Sequence, residues 1–157
     1  MANRSFTTFL LSGQLFGIDI LMVREINKQL EITPVPHASE YIRGLLNLRG
    51  QIVTILDLNK RLGLEKATLA QDSHNIILKT EQELQALGIE HDQGDFAATS
   101  DKVGLLVDDI RDVVIVPEQS IEPPPANMGK IDGQFLTGVI KQNNSLVAVL
   151  SVDKLLK

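Results

Sequence analysis

The chain has 157 residues, 43% apolar, 22% charged and only 4% aromatic, with 15 basic against 20 acidic side chains for a formal charge of −5. That length supports one aliphatic core of ordinary domain size, and the negative sign argues against a surface built to neutralise nucleic-acid or lipid phosphate. With no cysteine, disulfides, thiolate metal sites and thiol nucleophiles are excluded.

Short β-branched runs separated by turn residues dominate the chain, and helical periodicity is scarce. Residues 6–12 and 15–20 read as strands around a Ser12-Gly13-Gln14 turn, and 23–26 as a further short strand. Thr33-Pro34-Val35-Pro36 interrupts the pattern, because two prolines withhold backbone donors and fix φ. A helical turn is predicted over 39–43, capped by Ser39 and ended by Gly44. Residues 51–58 alternate into a helix over 58–62, closed by Gly63. A strand at 75–79 leads into a polar, acidic excursion at 80–101, whose 81–87 segment is helical and stopped by Gly88. Strands resume at 102–107 and 110–116. After a loop with Pro123-Pro124-Pro125 they continue at 135–141 and 145–150, before a terminal helix at 152–156. No apolar run approaches the roughly 20 residues of a membrane helix. The patch Phe9-Leu10-Leu11 is too short for a secretory signal, so a cytoplasmic protein is expected.

The two halves resemble each other. Gly44 through Leu62 aligns without a gap on Gly138 through Leu156, an offset of 94, with Val, Leu, Lys and Leu identical at 53/147, 56/150, 60/154 and 62/156. A second block, offset by 87, sets Gly17-Ile18 on Gly104-Leu105 and Val23-Arg24-Glu25-Ile26 on Ile110-Arg111-Asp112-Val113. Two blocks in one order indicate a duplication. Each copy supplies about five short strands, enough for a small closed barrel that hides its edges. The expected fold is all-β: two pseudo-symmetric five-stranded barrels with short helices, in one domain over 1–157. The sub-barrels are set at 14–66 and 67–157, exchange of terminal strands between them stays open, and 80–101 is a loop insertion. A groove between two such barrels suits an extended or helical partner.

No catalytic constellation emerges. His37, His74 and His91 share no metal-ligand spacing, and the His91-Asp92-Gln93-Gly94-Asp95 loop lacks the alternating ligands of a calcium hand. Asp108 and Asp109 are adjacent, so in a strand they point to opposite faces. No phosphate cradle, nucleophile elbow or zinc motif occurs. No enzyme activity, metal or cofactor is expected. The repeat fails informatively at one turn, where Asn47-Leu48-Arg49-Gly50 in the first copy faces Lys141-Gln142-Asn143-Asn144 in the second. A hairpin tip needs only turn formers; Arg49 adds a planar five-donor fork able to organise or reach a carboxylate.

The same residues carry a family likeness. The run from Gly17 to Ile26, Ile32-Thr33-Pro34-Val35-Pro36, and Ile42-Arg43-Gly44 through Asn47-Leu48-Arg49-Gly50 to Leu58 resemble the CheW family of bacterial chemotaxis coupling proteins. Gly104 through Asp108 and Asp153-Lys154-Leu155-Leu156 resemble its second half. The resemblance implies an adaptor of two SH3-like barrels that binds the regulatory domain of a CheA-type histidine kinase and the cytoplasmic helical tip of chemoreceptors. It implies a coupling motif at Asn47, Leu48, Arg49 and Gly50, with Glu25 as the partner of Arg49. It also implies a receptor groove at Ile18, Leu21, Val23, Glu25 and Arg49, and a kinase contact around Ile42, Gly44 and Leu45. The excursion at 80–101 departs from the family pattern, which leaves a CheW-like scaffold of a non-chemotaxis chemosensory pathway as an alternative. A β-barrel nucleic-acid module is a rival from another class, disfavoured by charge and by the absence of tryptophan.

Overall fold

Aliphatic runs broken by Gly, Pro and Asn form strands wherever one or both faces can be buried. In the computed structural model, which describes residues 2–65, 69–88, 102–142 and 144–156, they do so in two sheets. The strands are β1 (Asn3–Leu11), β2 (Gln14–Asp19), β3 (Val23–Asn27), β4 (Ile42–Leu48), β5 (Gln51–Asp57), β6 (His74–Leu78), β7 (Lys102–Val107), β8 (Asp109–Pro117), the short hairpin β9 (Asn127–Met128) and β10 (Ile131–Asp132), β11 (Leu136–Gln142) and β12 (Ser145–Leu150). The helices are α1 (Leu58–Arg61), α2 (Glu81–Ala86) and α3 (Val152–Leu155), with 3-10 turns at Ile20–Met22, Glu118–Ser120 and Gly133–Phe135. Residues 39–43 hold a turn in place of the expected helix: Ile42 N–H donates to the Ser39 carbonyl at 2.9 Å and β4 begins there.

One sheet runs β3-β6-β7-β5-β4 and the other β8-β1-β2-β12-β11. The β5–β7 and β12–β2 pairs are parallel and all other neighbours antiparallel. Each sheet curls until the chain beyond its end strand reaches the opposite edge. Thr33 bridges Leu45 in barrel one and Glu122 bridges Val139 in barrel two. The repeat holds in detail, for bulges fall at Val23/Glu25 against Thr7/Phe9 and at Ile42/Gly44 against Leu136/Gly138. The fold is therefore all-β with two five-stranded, SH3-like barrels.

The approximate bounds 14–66 and 67–157 do not separate the barrels, which are built by the strand exchange left open above. Barrel one takes β3–β5 from the first repeat and β6–β7 from the second, while barrel two takes β8, β11 and β12 from the second and β1–β2 from the first. Sequence similarity marks the duplicated units, and the units then exchange two strands each. The excursion also differs from a surface loop over its described part. Thr80 and Glu83 form a reciprocal capping box on α2, and Leu84 is fully buried among residues of both barrels.

Burial explains why the barrels stay together. Among the described residues, twenty buried side chains form a core between the barrels, against six inside barrel one and four inside barrel two. At about 1.5–3 kcal/mol per buried aliphatic side chain, the seam carries most of the apolar driving force. Arg61 of α1 spans the pseudo-symmetric centre. Its guanidinium lies 4.8 Å from the ring centroids of both Tyr41 and Phe135, equivalent positions in the two repeats. Its Nε and Nη2 donate to the carbonyls of Leu155 and Lys154 at 2.7 and 3.1 Å.

Candidate functional site

Barrel one closes where β3 meets β4, and the Asn47-Leu48-Arg49-Gly50 turn sits at that closure. Arg49 and Gly50 have φ of +51° and +84°, the two left-handed positions of a tight two-residue hairpin. Glycine tolerates this geometry and arginine rarely adopts it, so two neighbours anchor the turn. Asn47 Oδ1 accepts the Gly50 N–H at 2.9 Å, and Leu48 is buried in the barrel-one core. The result projects Arg49 into solvent, its side chain 66% exposed, where Nη2 donates to Glu25 Oε1 on β3.

The hydrogen bond from Arg49 is the main cause that holds the Glu25 carboxyl below its ordinary range; burial opposes it, and the charge of Arg49, the Asn27 amide and the charge of Arg24 add to it. Arg49 is in turn held more firmly protonated by Glu25. The pair anticipated between Glu25 and Arg49 is thus formed.

The apolar candidates separate into layers. Ile18 is fully buried in the core between the barrels and cannot line a groove. It lies on the sheet face that barrel two turns toward barrel one, and packing claims it. Leu21, in the turn that carries the chain from β2 to β3, is 51% exposed, and Val23 is half-buried against the same core. Ile20 beside Leu21 is exposed as well. The sequence reading missed Val113 and Ile115 on β8, which are 51% and 65% exposed. Val113 pairs with Thr7, which pairs in turn with Ile18, so Val113 continues the Ile18 row toward solvent. The signal was a period of two, but Val114 and Val116 on the other face hid it in one apolar run.

Ile42, Gly44 and Leu45 lie at the other end of the closure. Gly44 has φ +147° and is buried, and a Cβ there would stand 2.2 Å from the Thr33 carbonyl oxygen. Its glycine is required by the bridge, as is the position of Leu45, whose N–H and carbonyl exchange hydrogen bonds with Thr33 at 2.8 Å. Ile42, half-buried, faces a cavity of about 400 Å³ with Ile32, Pro34, Val35, Arg43 and Leu69. Elsewhere, Asp108 accepts from Ser12 N–H at 2.7 Å and from Asn59 Nδ2 at 2.9 Å, a structural tie between the repeats. Among the described residues no group of three or more His, Asp or Glu side chains is placed to hold a metal ion, and no helix is long and apolar enough to cross a membrane. His91 lies outside the described residues.

Residues 5–157 match the CheW-like domain. The chain belongs to this family. CheW-like relatives include the chemotaxis protein CheW of Treponema pallidum (strain Nichols), 32% identical over 152 residues and covering 94% of this chain and 79% of that protein. The chemotaxis protein CheW of Rhizobium meliloti (strain 1021) is 30% identical, with 96% and 86% covered. Among solved structures, the scaffolding protein TtCheW from Thermoanaerobacter tengcongensis superposes with a TM-score of 0.80 at 31% identity, covering all of this chain and 90% of that one. The CheW-like match therefore runs through both barrels and includes Glu25 and Arg49 as well as Val113 and Ile115.

Proposed function

We propose that this chain is a non-catalytic coupling adaptor of bacterial chemotaxis, acting in the cytoplasm between chemoreceptors and a CheA-type histidine kinase. The observation that carries the reading is the exposure of four apolar side chains, Ile20 and Leu21 in the turn before β3 and Val113 and Ile115 on β8, together with the surface Glu25–Arg49 pair. A receptor tip is an amphipathic helix whose anchors recur every three to four residues, and it needs an apolar strip with a polar edge for register. The family of the chain and the names of its relatives support the same role. The kinase regulatory domain docks on barrel one beside Ile42 and Leu45, next to the cavity that Ile42 lines. Leu21, Val23, Glu25 and Arg49 serve the receptor side, and the turn at Asn47, Leu48, Arg49 and Gly50 transmits receptor state to the kinase.

The test reconstitutes a receptor signalling fragment, the kinase and the adaptor on vesicles. Val113→Asp is expected to abolish co-sedimentation with receptor while the isolated protein stays folded. Arg49→Ala is expected to retain binding and lose receptor control of the kinase. Undiminished receptor binding by Val113→Asp, or full kinase control with Arg49→Ala, would refute the assignment.

A further inference from the structure

The duplication gives the fold two equivalent turns, and they are anchored by opposite means. An offset of 87 places Leu21, in the turn between β2 and β3, on Asp108, in the turn between β7 and β8. Leu78 lies opposite Val23 and Phe9 opposite Ile110, so the next residues along, Lys79 and Leu10, correspond as well. Barrel two puts the polar side chain on the turn and the apolar one on the strand beside it. Barrel one reverses them.

The reversal decides which side chain is left to face solvent. In barrel two the Asp108 carboxylate anchors its own turn, accepting the Ser12 N–H at 2.7 Å and an Asn59 Nδ2 hydrogen at 2.9 Å. Leu21 has no polar side-chain atom, and its turn is held through backbone carbonyls instead. The Lys79 N–H donates to the Met22 carbonyl at 2.9 Å and its Nζ to the Leu21 carbonyl at 2.8 Å, so one residue grips two successive carbonyls. From the other side, Asp19 Oδ1 accepts the Leu21 N–H at 2.9 Å. The backbone of Leu21 is thereby fixed while its side chain stays 51% exposed.

A lysine on its four-carbon stem is ordinarily a mobile donor, and holding it in one rotamer costs entropy. The residues on either side of Lys79 are themselves fixed. Leu78 belongs to the core between the barrels, and Thr80 caps α2 in the reciprocal box with Glu83. Leu84 of α2 is buried in the same core as Met22, and Glu83 pairs with Arg24 of β3 at 3.4 Å. The described part of the excursion is therefore a buttress behind the β2–β3 turn.

We propose that Lys79 is a positioning residue, seated by α2, that holds the β2–β3 turn so that Leu21 is presented to a partner helix as a fixed apolar anchor. A leucine on a loose turn loses freedom when it is bound, and a turn already fixed avoids that cost. The consequence for binding rests on the receptor-coupling role proposed above, whereas the bracing is measurable on the isolated chain.

The experiment measures amide exchange at Leu21 by NMR in the full chain, and binding to a receptor signalling fragment on vesicles, for Lys79→Met, Lys79→Arg and Lys141→Met. Methionine keeps the apolar stem and removes the ammonium, arginine restores a donor, and Lys141→Met removes an exposed lysine of barrel two. Lys79→Met is expected to speed exchange at Leu21 by about fivefold or more and to weaken receptor binding by a similar factor, as loss of one hydrogen bond allows. Ser12 in the equivalent region of barrel two is expected to exchange as before. Lys79→Arg is expected to recover most of both effects, and Lys141→Met to show neither. Wild-type exchange at Leu21 in Lys79→Met, or equal acceleration in Lys141→Met, would overturn the proposal. Leu21→Asp separates it from the reading beneath it. Lost binding by Leu21→Asp with wild-type binding by Lys79→Met would refute the positioning role alone. Undiminished binding by both would remove Leu21 from the receptor surface, and the docking role of this turn with it.

Discussion

Glu25 titrates at a lower pH in the folded chain than in the unfolded one, because Arg49 stabilises its ionised form. The pair's contribution to stability is therefore complete above the unfolded carboxylate range and disappears as pH falls through the folded value. Because Arg49 is 66% exposed, that contribution is small and screened by salt. Melting temperatures of wild type and Glu25→Gln are expected to differ slightly at neutral pH and to converge as pH falls through the folded carboxyl's range; a gap that persists once the carboxyl is protonated would mean the carboxylate is not the source. Arg61 is a different case, holding two rings and two carbonyls at once. With about 0.5–1 kcal/mol per cation–π contact and more for charged hydrogen bonds, Arg61→Ala is expected to cost about 2–4 kcal/mol in urea denaturation. Arg61→Lys is expected to recover only part of this, since an ammonium cannot fork onto two carbonyls while stacking between rings. At this scale the sequence was readable where chemistry was asymmetric. Arg49 stood out because its repeat partner is a plain turn residue, and Glu25 followed from the family pattern. Ile18 was misassigned because an apolar side chain on a strand carries no mark of which face will be covered. Arg61 escaped notice because neither Tyr41 nor Phe135 is near it in sequence.

Short elements hold this fold together through close approaches, and two of them yield sharp contrasts. The bulges at Gly44 and Gly138 are equivalent, yet their surroundings differ. A Cβ at Gly44 meets backbone, the Thr33 oxygen at 2.2 Å, with φ at +147°, whereas one at Gly138 meets the Ile121 Cγ2 methyl at 2.5 Å and a backbone oxygen, that of Glu122, only at 3.1 Å. Backbone cannot yield as a side-chain methyl can. Gly44→Ala is expected to destabilise by about 3 kcal/mol or more, and Gly138→Ala by clearly less, both read from denaturant midpoints. A loss of kinase control by a fully stable Gly44→Ala would instead mark the glycine as a contact. The second contrast lies within the excursion. Its length and acidity made all of 80–101 look like an addition to the surface, although the period that makes 81–87 helical also gives that helix an inner face. Leu84 occupies that face and is fully buried, while Arg24–Glu83 at 3.4 Å ties the segment to β3 and Lys79, just before it, donates from Nζ to the Leu21 carbonyl in the β2–β3 turn at 2.8 Å. Leu84→Ala is expected to cost about 2–5 kcal/mol. A wild-type denaturant midpoint for Leu84→Ala would mean that this face of α2 does not pack into the core.

The molecule as a whole is a duplication whose copies cannot stand apart. The five strands of each barrel, the all-β character and the repeat were legible, because turn residues and β-branched runs are local signals, whereas the two-residue strands β9 and β10 were too short to leave such a signal. The partition into barrels was not, because strand pairing between repeats leaves no trace in either repeat alone. The pairing has a direct consequence for a cut in the link between α1 and β6. A fragment of residues 1–65 keeps the hairpins β1–β2 and β4–β5, but β3 loses its sheet partner β6, and β5 loses β7. A fragment of residues 69–157 keeps β6–β7 and β11–β12 and loses the strands that join them to their barrels. Both fragments also expose their share of the twenty-residue core between the barrels. Isolated hairpins are marginal in water, so neither fragment is expected to show a cooperative thermal transition by circular dichroism. Mixed in equal amounts, the two are expected to recover β-sheet signal, a single transition and a 1:1 complex on gel filtration, because every missing strand of one is present in the other. Were residues 1–65 to melt cooperatively as a monomer, each repeat would be its own barrel. The seam would then be an interface between finished domains, free to shift without unfolding either barrel.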